Sequence, residues 1–283
     1  MASLLAPAAA PREVHPPAKN ITSAARSPRT VPDSFLLTTG MIEQDESYQW
    51  PPHSHEEHEL IWAARGVVTI FVDGRMWTVL PGAGLWIPSG VVHEGRVAGG
   101  VAFRVTLFAP EAWSRSWNQT MAVRVNEAAQ QLLVHLAQTG MPSEERLRAQ
   151  QVCIDMLEAL EPSNITVPIP RDPRIGELVN GVLKDPADDR SLEQWARRLN
   201  LSSRTITRTF KAEVAMSFAQ WRRLVRMRSA HILLVDGLSV TAVGRKVGYG
   251  TTSAFVAAFR KVVGRTPGEL LADEQDAPRV RPF

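Results

Sequence analysis

Ser191–Glu213, SLEQWARRLNLSSRTITRTFKAE, is the stretch on which the fold turns. Ser191 is placed to cap a helix in which Leu192, Trp195, Ala196 and Leu199 form one apolar stripe. Asn200-Leu201-Ser202 interrupts it, because Asn tolerates left-handed backbone and Ser202 can cap a second helix. That helix, Ser203 to Glu213, turns Ile206 and Phe210 inward and leaves Arg204, Thr207, Arg208 and Lys211 on its other face. A short helix, a tight turn and a basic second helix make a helix-turn-helix.

The pattern recurs downstream. Ser239 caps a helix carrying Val240, Val243 and Val247, and Gly248 supplies its terminating position. Tyr249-Gly250-Thr251 makes the turn, and Thr252 to Val263 carries Phe255, Phe259 and Val262 inward with Arg260 and Lys261 outside. Between the units runs Ser217 to Val235, free of Pro and Gly, a rod of about 28 Å at ~1.5 Å per residue. That approaches the roughly 34 Å between successive major-groove faces of a duplex.

Charge follows the same division. The 283 residues carry 32 Lys+Arg and 29 Asp+Glu, yet Asp188–Leu271 holds 15 basic and 6 acidic residues. A basic block of this kind suits a polyanion, nucleic acid or acidic membrane. The single cysteine, Cys153, excludes an intramolecular disulfide framework. No apolar run approaches the ~18 residues of a membrane span, and the Ala-rich start, broken by Pro7, does not read as a signal peptide. A cytoplasmic location is expected.

Upstream, residues 1–33 read as a disordered arm rich in Ala, Pro, Ser and Arg. From Phe35 to Phe108 short apolar runs (Glu59–Ala64, Val67–Val72, Val101–Phe108) alternate with Gly and Pro, and Asp73-Gly74 is a type I′ hairpin signal. A small antiparallel barrel or sandwich over 34–110 is expected. Residues 111–161 read as helical, with helices over Asn126–Gln138 and Ser143–Leu160 separated by Gly140 and Pro142; such a hairpin would be scaffold or a homodimer surface. Residues 162–173, rich in Pro, read as a linker, 174–272 as the helical C-terminal domain and 273–283 as a flexible tail. The fold class is thus α+β multidomain.

Within the barrel, Pro52-His53-Ser54-His55-Glu56-Glu57-His58-Glu59 is dense in potential ligands. On one extended strand His53 and His55 share a face, joined by Glu59 if no bulge intervenes, while His58 takes the other parity. Two imidazoles and a carboxylate suit a first-row divalent ion. A further histidine, His93, follows Gly82, Pro88 and Gly90. The same cluster could instead line a pocket for an organic effector, with Trp62, Trp77 and Trp86 as walls, Trp62 assigned to the face of Glu59.

Two resemblances organise these readings. LSSRTITRTFKAEVAMSFAQWRR, from Leu201, and AHILLVDGLSVTAVGRKVGYGTTSAFVAAFRKVVGRTPGEL, from Ala230, resemble the DNA-binding domain of AraC-type transcription regulators over about Arg174–Leu271. Ala215 stands where that family commonly has Gly, and Gly244 where it commonly has Ala. The resemblance implies promoter DNA as partner, with RNA polymerase a further candidate. It puts Arg204, Thr207 and Arg208 on the base-reading face of the first recognition helix and Thr252, Ser253, Val256 and Ala257 on the second. The first unit is expected to supply most discrimination, because Arg reads guanine bidentately.

His53-x-His55-x3-Glu59-x6-Gly66 and Gly82-x5-Pro88-x-Gly90-x2-His93 resemble the two cupin motifs, with Val97 where the second usually has Asn. This implies a barrel whose mouth could hold a divalent transition metal on His53, His55, Glu59 and His93. The expected function is a ligand-responsive regulator without catalysis. The alternative is a metal-dependent cupin oxygenase or isomerase with an appended DNA-binding domain.

Overall fold

Alternation and turn chemistry build the N-terminal half of the computed structural model, which describes residues 31, 35–138, 140–160 and 166–276. Strands β1 (Leu37–Gln44), β2 (Tyr48–His53), β3 (His58–Arg65), β4 (Val68–Val72), β5 (Arg75–Val79), β6 (Ala83–Ile87), β7 (His93–Val97) and β8 (Val101–Phe108) are followed by β9 (Met121–Arg124). Two short strands, β10 (Glu158–Ala159) and β11 (Val167–Pro168), come later. They form two antiparallel sheets, in order β1-β8-β3-β6-β9-β10 and β11-β5-β4-β7-β2. The β4–β5 turn is Asp73-Gly74, both at positive φ (52° and 71°), as a type I′ hairpin requires.

The sheets face each other across a core that includes Ile61, Val68, Ile70, Val79, Leu85, Val105 and Leu107. The six-stranded sheet is buried on its other face as well. Leu60, Trp62 and Trp86 pack there with Leu133 of α1 (Glu127–Leu136) and Ile154 of α2 (Ser143–Asp155). Gln150 of α2 holds the start of β1, accepting from the Leu36 N–H and donating to the Leu37 carbonyl, both at 2.8 Å. Arg146 of α2 donates to the Leu136 and Gln138 carbonyls, satisfying the end of α1.

Several expectations for the middle of the chain need correction. The second hairpin helix stops at Asp155 rather than Leu160, because Glu158–Ala159 pairs with β9 instead. Region 111–161 is therefore not wholly helical: β9 extends the six-stranded sheet by pairing with β6. The segment read as a linker carries β11, paired with β5 and with Val167 fully buried. Val31, placed in the arm, packs against the barrel core. The segment read as a flexible tail from residue 273 begins inside α9, which runs to Asp276. The rest of the arm (1–30 and 32–33), residues 161–165 and residues 277–283 lie outside the described residues.

The C-terminal half is helical: α3 (Gly176–Lys184), α4 (Leu192–Arg198), α5 (Ser203–Val214), α6 (Phe218–Val235), α7 (Val240–Lys246), α8 (Thr252–Val263) and α9 (Pro267–Asp276). Local caps set their starts. Ser191 with Gln194 and Ser217 with Gln220 form capping boxes, and Ser202, Ser239 and Thr251 each accept from a backbone N–H of the first turn. Two cores result: one around Trp195, Ile206, Phe210 and Trp221, the other around Met227, Val243, Phe255, Phe259 and Leu270. No helix among the described residues is long and apolar enough to cross a membrane.

Ala215 ends α5 with φ 56°, in the left-handed region. That conformation costs a residue with a Cβ roughly 1–2 kcal/mol. Ala215→Gly is therefore expected to stabilise the chain by about 1 kcal/mol net of glycine's greater unfolded entropy, read as a higher melting temperature. At Gly244 the reverse holds: a Cβ there would lie 3.2 Å from the Phe255 side chain, which occupies the space.

Candidate metal centre and nucleic-acid interface

The histidine cluster is assembled from both sheets. His53 ends β2 and lies directly across from His93, which opens β7, after a register shift between Trp50 and His53. His55 sits in the bend between β2 and β3, where the Gly90 N–H donates to its carbonyl at 2.8 Å. Glu59 enters from β3, in the opposite sheet. Ligand atoms of His53, His55 and His93 all lie within 4.8 Å of one another. A Glu59 Oε2 atom is 2.9 Å from His93 Nε2 and 3.8 Å from His55 Nε2. The four residues thus meet, but His53, His55 and Glu59 do not share one extended strand as their spacing suggested. A bulge, a bend and a second sheet bring them together.

The rings are fixed from behind. His53 Nδ1 lies 2.7 Å from the Pro51 carbonyl and His93 Nδ1 3.0 Å from the Val91 carbonyl. A carbonyl only accepts, so in both rings Nδ1 carries the proton and Nε2 of the neutral imidazole keeps its lone pair. Outer partners of this kind orient metal-binding imidazoles. Glu59 and His93 are 4% and 3% exposed. Glu59 Oε2 and His93 Nε2 face each other at 2.9 Å, and neither buried atom has a conventional hydrogen-bond partner among the described residues. Such orphaned atoms are costly unless a further group satisfies them. Donors of this chemistry, three imidazoles and a carboxylate, fit a divalent transition metal.

Electrostatics separate the histidines. Burial lowers the His55 imidazole below its ordinary value, against the pull of Glu59 and with the push of His93 and His53. Burial works to lower His93 too, but the Glu59 carboxylate and the Val91 carbonyl outweigh it and raise it. His58 points elsewhere, its ring 5.0 Å from Trp86 and its Nδ1 accepting from the Ser89 N–H, with burial lowering it.

Trp62 and Trp86 do not line this mouth. Glu59, Ile61 and Ala63 alternate with Leu60 and Trp62 along β3, so Trp62 faces the helices. Its indole donates to Thr106 Oγ1 at 3.2 Å. Trp86 lies on that same helical side, stacked on Trp113 with centroids 4.2 Å apart. Trp77 packs partly buried against the barrel core and borders a cavity with Thr166, Glu213 and Lys261.

On the C-terminal half, α5 and α8 each turn aromatic residues inward. Arg204 and Arg208 are exposed on the outer face of α5; between them Thr207 is half-buried, its hydroxyl donating to the Ser203 carbonyl at 2.9 Å. On α8, Ser253 and Ala257 are exposed, whereas Thr252 is tied to Thr241 at 3.3 Å and Val256 is partly engaged in the core. These four line one shallow hollow with Arg260 and Lys261.

Sequence reading missed the seam between the halves. Arg228 of α6 donates to Thr78 Oγ1 and Thr69 Oγ1, both at 2.6 Å, on β5 and β4. Burial pushes its guanidinium down to about 10. Phe71 and Met76 of the same hairpin pack with Ile175, Leu178, Trp195 and Trp221. Arg228 figured only as one charge of the basic block; the signal lies in contacts distant in sequence.

Residues 39–154 match the AraC-like ligand binding domain family, and residues 195–273 match a helix-turn-helix domain family. The chain is 30% identical over 227 residues to the HTH-type transcriptional regulator NimR of Escherichia coli K12, spanning 78% of this chain and 82% of that protein. It is 26% identical over 229 residues to the arabinose operon regulatory protein of the same organism, spanning 74% and 78%.

Proposed function

Because the chain belongs to the AraC family of transcription regulators, a ligand-responsive class that joins an effector-binding domain to a DNA-binding one, we propose that its effector is a divalent transition metal held by His53, His55, Glu59 and His93. The observation that carries this reading is the buried, orphaned pair of Glu59 Oε2 and His93 Nε2 within a cluster of imidazoles. An organic pocket walled by Trp62 and Trp86 has less support, since both rings face the helices. The bound ion supplies charge and a fixed coordination geometry. The residues' part is to bring the ends of β2, β7 and β3 to one point.

His93 pairs with Val72 of β4, and β4 with β5 carries the threonines that hold Arg228 of α6. Loading the site therefore acts one strand away from the seam with the DNA-binding half. Regulation follows if the metal binds one seam arrangement better than the other, by that difference in free energy. The two recognition helices, joined by α6, read adjacent major grooves of promoter DNA. The outer face of the α1–α2 hairpin, where Val152 is 52% exposed, is the proposed homodimer contact.

Metal content of untagged protein is the direct test. About one ion per chain is expected, and Glu59→Ala or His93→Ala is expected to weaken retention by about 100-fold or more, since even outer partners of ligands are worth ~10–100-fold. Chelation is then expected to shift the affinity of the full chain for the duplex it selects. Metal-free protein with unchanged DNA binding would sink the proposal. The relatives are transcription regulators, so the ion is read as effector rather than as a catalytic centre. Stoichiometric metal with oxygen consumption would favour the enzyme instead.

A further inference from the structure

The two helix-turn-helix units have separate cores, so something must fix the angle between their recognition helices. The rod α6 enters both cores, through Trp221 and Val225 on one side and Met227 and Leu234 on the other. A rod alone leaves the units free to tilt about their own attachments. The second connection is polar and centres on one guanidinium.

Arg226 of α6 donates through Nε to the Pro186 carbonyl at 2.8 Å and through Nη2 to the Asp188 carbonyl at 3.1 Å. Through Nη1 it donates to the Gly248 carbonyl at 3.2 Å. The first two acceptors belong to the loop that leads into α4, the opening helix of the first unit. The third belongs to the turn between α7 and α8 of the second unit. The Arg226 guanidinium carbon also lies 5.7 Å from the Tyr249 ring centre.

The surroundings are built for this bridge. Arg222, one helical turn earlier, donates to the Arg190 carbonyl at 2.8 Å, so the same face of α6 holds the loop twice. Within the loop Arg190 pairs with Asp188 and lies over the Trp195 ring at 3.9 Å. Gly248 has φ +83°, and a Cβ there would fall 2.8 Å from Arg226 Nη2 and 3.0 Å from Ala187 Cα. The turn of one unit thus closes directly on the approach loop of the other. Only a side chain with forked donors can join these carbonyls at once.

We propose that Arg226 is a positioning residue that locks the two helix-turn-helix units at one relative angle and thereby sets the spacing of the two DNA blocks the chain accepts. The inference rests on the reading that both units bind DNA. Two sites joined rigidly gain affinity only where the geometry lets both engage. A loosened joint gains less at the best spacing and loses less at the others.

The test uses the full chain and a duplex it selects from a randomised pool, with one or two base pairs then inserted between the two protected blocks. Wild type is expected to lose about tenfold or more in affinity per altered spacing. Arg226→Met is expected to bind the original duplex more weakly and to vary by less than about threefold across the series. Arg223→Met removes an exposed charge from the same helix outside the bridge, and is expected to keep the wild-type profile. Should Arg226→Met lose its helical signal, Arg226→Lys and Gly248→Ala carry the same comparison. A variant profile as sharp as that of wild type overturns the proposal alone. A flat profile for wild type overturns the two-groove reading and the proposal with it.

Discussion

Arg208→Ala is expected to weaken binding of the full chain to its selected duplex by about 5- to 150-fold, the ~1–3 kcal/mol of one bidentate base contact. Arg208 is exposed one helical turn from Arg204, so both guanidinium groups leave the same side of α5. Behind them Ile206 and Phe210 are fully buried and Ser202 caps the helix, so the platform is rigid. The corresponding face of α8 presents Ser253 and Ala257, short side chains, while Thr252 and Val256 are partly engaged elsewhere. Ser253→Ala is accordingly expected to cost less than about threefold. Competition against single-base variants of the duplex decides the role of Arg208. Loss of preference at one base pair marks base reading. A uniform loss, with the salt dependence reduced by about one ion, marks a phosphate contact and sinks the assignment.

The helical half was legible because its signals are local. Ser191, Ser202 and Ser239 cap within their own first turns as read, and the apolar faces of α4 (Leu192, Trp195, Ala196) and α5 (Ile206, Phe210) each follow from local spacing. Ser217 and Thr251 cap α6 and α8 in the same local way. Asp73-Gly74 was legible for the same reason. The metal candidates were legible as a cluster but not as a geometry. Strand parity alone puts His53, His55 and Glu59 on one face, whereas the chain leaves the strand at His53 and re-enters in the other sheet. Parity also decides against Trp62, one position out of phase with Glu59. Strands β9, β10 and β11 were illegible, being two to four residues long with pairing partners that are mostly remote in sequence. The seam held by Arg228 is remote in the same way: its acceptors lie about 150 residues upstream.

Trp221→Ala tests whether that seam is a single cooperative unit. Trp221 is fully buried in α6, its ring centre 5.5 Å from Phe210, and its indole donates to the Pro168 carbonyl of β11 at 2.7 Å. Truncating a large core aromatic costs roughly 3–5 kcal/mol, and here it also leaves an acceptor of β11 unpaired. The damage is expected on both sides of the seam. Met76 and Val167 of the barrel share one apolar cluster with Trp221, and Arg228, two turns along α6, grips the same hairpin. The amides of β5 and β11 are therefore expected to lose hydrogen-exchange protection together with α5. Those of β1 and β8 draw on other cores and keep theirs. The helix pair α7–α8 is also expected to hold, since its cluster around Phe255 and Leu270 is separate. Loss confined to α5, with β5 and β11 still protected, would show that the barrel and the first helix-turn-helix unit fold apart. A signal from the metal site would then have no shared element to travel through.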